Sequence, residues 1–424
     1  MRKITAALLG AGQRGMDAYG SYALVHPGDL QFIAVAEIDA DRRNRFASDH
    51  NISDKNAFTD WKYLLEQEKL ADVLLICTQD DLHFEPAMAA LKKGYNILLE
   101  KPISNNPEEC LILEEEAERS EGHLIVCHVL RYTPFFTQIK RLLDEGIIGD
   151  VVSIQHIEKV AFWHQAHSFV RGNWRNTEES SPMILSKSCH DMDVLHWLVG
   201  QKCLSVSSFG SLSYFKAQNA PTGAPDRCLD DCPHSENCPY FAPRVYLNSN
   251  NEWQASILRK TVSLDTSDEA ILNALKTGPY GRCVYHCDND VVDHQVVNIQ
   301  FDQGITASFT MCAFTADGGR EIYIMGTKGE LRGHMENNEL ETTDFLTRTT
   351  NVVKLEASGA DHGGGDTGIM KDLVNLLQGG GISPHMSTIS SSVESHVMAF
   401  AAEKARLESS VINLIDFAKE VRTT

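Results

Sequence analysis

Ile4-Thr-Ala-Ala-Leu-Leu9, followed at once by Gly10-Ala11-Gly12-Gln13-Arg14-Gly15, decides the fold. The apolar run reads as a short buried strand. Met16 to Val25 reads as a helix with Gly20 as its weak point, and Gln31-Phe-Ile-Ala-Val-Ala36 reads as a second strand ending at Glu37. Strand, G-x-G-x-x-G, helix, strand and acid in that order are the context in which a glycine turn holds a dinucleotide. Gly10 permits the tight turn, Gly12 lets a pyrophosphate approach the backbone, and Gly15 lets helix and strand pack closely. Gln13 and Arg14 fill the variable positions. The phosphates would sit on free amides at a helix N-terminus, where the dipole favours anions. Glu37 stands where a carboxylate bonds the adenosine ribose, which favours NAD over NADP. Arg42 and Arg43 leave NADP as the alternative.

The alternation continues outward. Asp72–Cys77, Tyr95–Leu99 and His123–His128 read as strands, with helices at Pro86–Lys93 and Pro107–Ser120 between them. Strands alternating with helices imply an α/β fold with a doubly wound parallel sheet over residues 1–128. Ligands bind at the carboxyl ends of such strands, where Thr78, Glu100, Lys101, Pro102 and His128 fall.

The bulk numbers agree. A chain of 424 residues is long for one core, so residues 129–424 are expected to form a second domain. The net charge of −20 disfavours nucleic acid and anionic membranes as partners. No apolar run approaches the roughly 18 residues of a membrane span. Met1-Arg2-Lys3 leads straight into the first strand with no signal core, so a cytoplasmic location is expected. Eleven cysteines, an odd number partly inside core segments, suit reduced thiols.

Three stretches resemble the Gfo/Idh/MocA oxidoreductases. Thr78-Gln79-Asp80-Asp81-Leu82-His83 is similar to the family's T-P-x-x-x-H turn, with Gln79 in place of Pro. Glu100-Lys101-Pro102 is similar to its E-K-P signature. Ser186-Lys-Ser-Cys-His190-Asp-Met-Asp193 is similar to its D-x-G-x-H-x-x-D helix, with Ser186 where the pattern has Asp and Ser188 where it has Gly. The resemblance implies a Rossmann domain followed by an α/β domain with an open, mostly antiparallel sheet that joins copies into a homodimer or homotetramer. It implies Thr78, His83, Glu100 and Lys101 beside the cofactor, Lys101 and His190 at the reacting oxygen, and a sugar, sugar derivative or cyclitol as substrate.

The chemistry suits those residues. Moving a hydride from a C–H to a nicotinamide requires loss of the hydroxyl proton, for which His has a fitting pKa. A Lys beside the cofactor can hold the oxygen and its developing charge. Ser186, His190 and Asp193 share one helical face, while Lys187 and Asp191 fall off it and are expected on the surface. His167-Ser-Phe-Val-Arg171-Gly-Asn-Trp174-Arg175 reads as a loop able to stack on and bond a sugar. His362-Gly-Gly-Gly-Asp366 reads as a turn opening a helix near Gly368, with Asp366 as an N-cap or, with His362, as a substrate contact. Arg131 follows the fifth strand and is placed in the same cleft.

Residues 218–290 read as a long excursion, rich in proline up to residue 243. Cys228, Cys232 and Cys238, with Cys287 as preferred fourth ligand over Cys283, suit either a structural zinc site or free thiols. Val291–Phe301, Ile305–Phe314, Arg320–Met325 and Gly329–Arg332 read as strands of the second sheet, and Ser390–Ser409 as a terminal helix. The expectation is an NAD(P)-dependent oxidoreductase acting on a sugar-like molecule. The alternatives are a glycosidase or lyase that keeps its NAD through transient oxidation of the ring, and a non-catalytic cofactor sensor.

Overall fold

The computed structural model describes residues 2–249, 251–356 and 361–423. Strands β1 (Ile4–Leu9), β2 (Leu30–Ala36), β3 (Ala57–Phe58), β4 (Val73–Ile76), β5 (Asn96–Leu99) and β6 (Leu124–Val126) form one sheet in the order β3-β2-β1-β4-β5-β6. Every pairing in it is parallel. The strand order reverses between β1 and β4, the switch point where such sheets open a crevice. The two-residue β3 has too short an apolar pattern to stand out in the sequence.

Both faces of this sheet are covered, which is why its strands are apolar throughout. Ala7 and Leu9 join a core with Ala87, Ala90, Leu91, Cys110 and Leu113 from the helices Phe84–Lys92 and Pro107–Arg119. Ala6 and Leu8 face the other way and pack with Tyr19, Ile369, Met370 and Leu373. The last three lie on the helix Gly365–Leu377, so a late stretch of chain returns to complete the first core. Thr388 then bridges to Ile125 of β6.

The second sheet has nine strands: β7 (Val151–Lys159), β8 (Cys203–Ser211), β9 (His294–Phe301), β10 (Thr306–Cys312), β11 (Gly319–Gly326), β12 (Gly329–His334), β13 (Glu339–Asp344), β14 (Thr350–Lys354) and β15 (Val411–Asn413). Their order is β14-β13-β12-β11-β7-β10-β9-β8-β15. Only β7 and β10 run parallel. Alternation sends Ile154, Val297, Phe309 and Ile324 into the core and leaves Ile157, Phe209 and Val296 exposed. One face is therefore covered by helices, chiefly Cys189–Val199 and Ile389–Glu408, and the other is open. Among the described residues no helix is long and apolar enough to cross a membrane.

Candidate active site

The glycine turn has the geometry that its residues demand. Gly10 adopts φ +87°, and a Cβ there would meet the Cys77 carbonyl oxygen at 2.5 Å; a Cβ on Gly15 would meet the Gly10 oxygen at 2.2 Å. Nothing lies within 4 Å of a Cβ position on Gly12, so that face of the turn is open. Glu37 Oε2 accepts from the Ala11 amide at 2.6 Å, and Oε1 accepts from the Asp39 amide at 2.9 Å. The carboxylate is thus aimed at the turn from the end of β2. Arg43 donates to the Glu37 carbonyl at 2.6 Å and so is committed to backbone. An open, amide-rich turn with an acid beside it fits a dinucleotide. After the turn, residues Arg14–Gly20 form a wide π-helical turn before the short α-helix Ser21–Val25, in place of one regular helix from Met16.

Arg14 crosses from the turn to the end of β5 and to the start of the helix Gly365–Leu377. Its Nε donates to Glu100 Oε1 at 2.6 Å, and its two terminal nitrogens donate to Asp366 at 3.0 and 2.7 Å. Tyr19 Oη also donates to Glu100 Oε1, at 2.6 Å. Burial raises the Glu100 carboxyl, but the charges of Arg14 and Lys101 outweigh it, and the group sits below the usual carboxylate range. Asp366 behaves likewise through His362 and Arg14. Asp366 is inside the first turn of its helix while Gly364 occupies the cap, so the expected N-cap role is not what the structure shows. His362 Nδ1 lies 3.0 Å from Asp366, and its ring centroid lies 6.4 Å from that of His190.

Lys101, just beyond β5, extends its ammonium to the Ser186 carbonyl at 2.8 Å. His83 bridges the Pro102 oxygen at 2.7 Å and the Thr78 oxygen at 3.2 Å, locking the Thr78–His83 turn to the Lys101 segment. Its ring is buried and spoken for, whereas Thr78 is partly open with its hydroxyl on the Leu82 carbonyl. Gln13 is exposed beside the turn.

Ser186 and His190 do not share one helix. Met183–Ser186 ends a short helix, and Cys189–Val199 begins another after Ser188. The Ser186 hydroxyl turns back to the Pro182 carbonyl at 3.2 Å and does not replace a carboxylate. His190 is 7% exposed, and its Nδ1 has no hydrogen-bond partner among the described residues. Burial depresses its pKa well below the ordinary histidine value, and the charges of Lys101, Arg320 and nearby imidazoles add to that. The ring stays neutral and able to accept a proton down to acid pH.

Charged pairs hold this helix in place. Asp193 takes a bidentate bond from Arg131 at 2.7 and 2.6 Å, both side chains buried, so each satisfies the other. Asp191, expected on the surface, is fully buried. It accepts from Arg320 Nε at 2.8 Å and faces His156 Nε2 at 2.7 Å. Lys187, also expected outside, pairs with buried Glu158 at 3.2 Å, and Arg320 reaches Glu158 at 2.6 Å. Burial raises the Glu158 carboxyl, while Arg320 and His156 overcome burial and hold Asp191 low. Helical spacing could not reveal this, because the partners come from β7 and β11.

The stretch from His167 to Arg175 also differs from expectation. Its first half is no loop, since Gln165–Arg171 is a buried π-helical turn, while residues 172–175 form bends and turns. Arg171 donates to the carbonyls of Arg282 and Tyr240, each at 2.7 Å. His167 contacts Tyr246 Oη at 2.8 Å and stacks on Tyr280 at 4.7 Å. Both pack against the excursion and spend their polar atoms there. Arg175 forms ion pairs with Asp288 and Glu179, each at 2.8 Å, on the surface. Trp174 alone of this group reaches the first domain, donating to Asp80 Oδ1 at 3.2 Å. Asp80 also accepts from Ser180 and Ser181, a latch between the domains that lay unnoticed inside the quoted turn.

Cys228, Cys232, Cys238 and Cys283 line one small cavity with Arg171. Cys287, the preferred ligand, points its thiol at the Cys283 carbonyl instead, at 3.2 Å. Among the described residues no three His, Cys, Asp or Glu side chains are arranged to hold a metal ion. The expected zinc set of Cys228, Cys232, Cys238 and Cys287 is corrected on that ground; the cation in this cluster is the Arg171 guanidinium, 3.5 Å from the Cys228 sulfur.

With this geometry in place, comparison with known proteins decides the family. Residues 4–128 match the oxidoreductase family's NAD-binding Rossmann fold, and residues 140–358 match its C-terminal alpha/beta domain. The chain belongs to the Gfo/Idh/MocA family. It is an NAD(P)-dependent oxidoreductase. The YteT protein of Bacillus subtilis (strain 168) is 27% identical over 320 residues, covering 71% of this chain and 72% of that one. An inositol 2-dehydrogenase/D-chiro-inositol 3-dehydrogenase of Lactiplantibacillus plantarum is 30% identical over 151 residues, covering 35% and 39%. A levoglucosan dehydrogenase solved with NADH and levoglucosan superposes with a TM-score of 0.70, covering 97% of this chain and all of that one; at 18% identity this is a likeness of fold.

Proposed function

We propose that this enzyme oxidises a secondary hydroxyl of a sugar or cyclitol, or reduces the corresponding ketone, with NAD as cofactor. The observation that carries the proposal is Lys101 Nζ on the Ser186 carbonyl at 2.8 Å, which ties the end of the cofactor sheet to the segment leading into His190. The names of the inositol and levoglucosan dehydrogenases support the substrate class. Glu37, aimed at the turn and carrying negative charge, supports NAD over NADP, because a carboxylate repels a 2′-phosphate.

When bound, the nicotinamide supplies the hydride acceptor. The chain's own residues do the rest. Lys101 donates to the reacting oxygen and stabilises its negative charge. The neutral His190 ring takes the hydroxyl proton as the C–H bond gives up its hydride and the carbonyl forms. Arg131–Asp193 and Arg320–Asp191 hold the His190 helix. Thr78, Gln13 and the glycines line the dinucleotide, and His362 and Asp366 border the substrate beside His190.

A second reading, cleavage of a glycosidic bond through transient ring oxidation, is favoured by one feature: Ser186 supplies no carboxylate at the site. A panel of cyclitols, sugars and aryl glycosides, followed at the reduced-nicotinamide absorbance band, separates the two. NADH formation with a sugar or cyclitol supports oxidation. Aryl glycoside turnover without net NADH supports cleavage, and no reaction with any member overturns the substrate class. We also propose that the open face of the second sheet joins two or more copies through Ile157, Phe209 and Val296. Sedimentation showing a monomer at micromolar concentration would count against it.

A further inference from the structure

Between β8 and β9 the chain leaves the second sheet for some eighty residues, and this excursion is a body with its own core. Ala242, Val245, Tyr246, Leu258, Ile271 and Leu275 pack together in it. Arg171 staples it from below through the Arg282 and Tyr240 carbonyls, and Arg282 returns a bond to the Arg171 carbonyl at 3.0 Å. His167 props Tyr280 by stacking on it.

This body reaches back to the first domain through an ion pair. Lys260, on the helix Glu252–Val262, lies 3.8 Å from Asp17 Oδ2 on the helical turn that follows the glycines. Tyr280 stands in the field of Arg42, which opposes the effect of burial on its phenol. Arg42 lies on the helix Ala40–Asp49, just beyond Glu37. The Lys260–Asp17 contact falls on the turn that follows the glycines, and Arg42 on the helix just beyond Glu37, so the body approaches the trough between them from both ends. The excursion thereby adds a cation, Lys260, near the turn where a chain of net charge −20 would receive an anion, with Arg42 of the first domain nearby.

Resting on the reading that this trough holds the adenosine and phosphates of NAD, we propose that residues 217–249 and 251–290 form a roof over that half of the dinucleotide and slow its departure. Chemistry beneath a roof outpaces release, so in net oxidation the loss of NADH sets kcat. The roof is preformed by its own core and by Arg171, and the Lys260–Asp17 contact holds its edge against the first domain.

The test is release of NADH from the full-length enzyme, by stopped-flow fluorescence, in wild type, Lys260→Glu and the swapped pair Lys260→Glu with Asp17→Lys. Reversing an exposed charge beside Asp17 is expected to speed release about fivefold, with the swap restoring the wild-type rate. Hydrogen exchange supplies the second readout: NADH is expected to slow exchange in residues 252–262 and 279–282 as well as in 10–20. Release unchanged in Lys260→Glu, with protection confined to the first domain, overturns the roof while leaving the cofactor assignment intact. Absence of NADH binding by the wild type overturns both.

Discussion

Around Gly10–Gly15 backbone makes the site, whereas around His190 side chains from separate segments make it. The turn's requirements are local: a positive φ at Gly10, close approach at Gly15 and open space at Gly12. The His190 helix instead depends on Arg131 from beyond β6, and on His156 and Arg320 from β7 and β11. Arg14 and Arg171 show the same contrast. Each is an arginine in a short polar stretch, yet Arg14 is caged by carboxylates where the domains meet, while Arg171 is caged by carbonyl oxygens inside the excursion. A motif made of backbone can be recognised from spacing alone. A motif made of long-range ion pairs cannot.

The largest expected effects separate the two arginines. Arg14→Met leaves Glu100 and Asp366 without their cation, and the loss of a buried partner costs about 3–5 kcal/mol. Unfolding by urea should show that loss together with weakened NADH binding. Arg171→Met should destabilise to a comparable or smaller degree, since carbonyls rather than charges are left unpaired, at about 1–3 kcal/mol each. Its effect should fall on the excursion and on NADH release, with hydride transfer preserved. If both variants lose hydride transfer alike, the contrast fails.

Acid is the next lever. Burial lowers His128 to about 4 and His167 and His396 to about 3, and it also lowers His164 and His190. Because these folded pKa values lie below the unfolded value of 6.5, the unfolded chain binds more protons as pH falls below 6.5. Stability is therefore expected to drop between pH 6.5 and 4, by on the order of 3 kcal/mol from His128 alone at the acid end. Urea midpoints measured across that range check the sign. A midpoint that rises toward pH 4 would contradict the buried, neutral imidazoles.

Smaller effects sharpen the backbone side. Gly12→Ala meets open space, so the thermal midpoint should stay within a degree or two while NADH affinity falls about tenfold, or about 1.4 kcal/mol. Loss of stability without loss of affinity would place the cofactor elsewhere. Arg175→Ala, on a surface pair, should cost no more than about 1 kcal/mol and leave KM unchanged. A large rise in KM would restore Arg175 to the substrate site.

Much of the fold was legible in the sequence. β1 and β2 follow from apolar runs bounded by the glycine turn and Glu37, and the antiparallel stretches of the second sheet follow from alternation at 294–301 and 306–312. The return of Gly365–Leu377 to the first core was not, because its apolar face gives no hint of which sheet it covers. Lys101 and His190 stood out through flanking motifs. Asp191 and Glu158 did not, since a buried acid is distinguished from a surface acid only by its partner. His167 and Arg171 look like ligand groups by residue type, and only the Arg282 and Tyr240 carbonyls reveal Arg171 as a staple. The cysteines show the limit of counting: four share a cavity, yet the charge among them is an arginine.

The most direct measurement is a single-turnover reaction with NAD and the best sugar or cyclitol from the panel, comparing wild type with His190→Asn at pH 7.5. Asn keeps a polar side chain of similar reach but cannot take the proton. The rate of nicotinamide reduction is expected to fall about 10²–10⁴-fold, with NADH affinity unchanged. An unaltered single-turnover rate in His190→Asn would contradict the account.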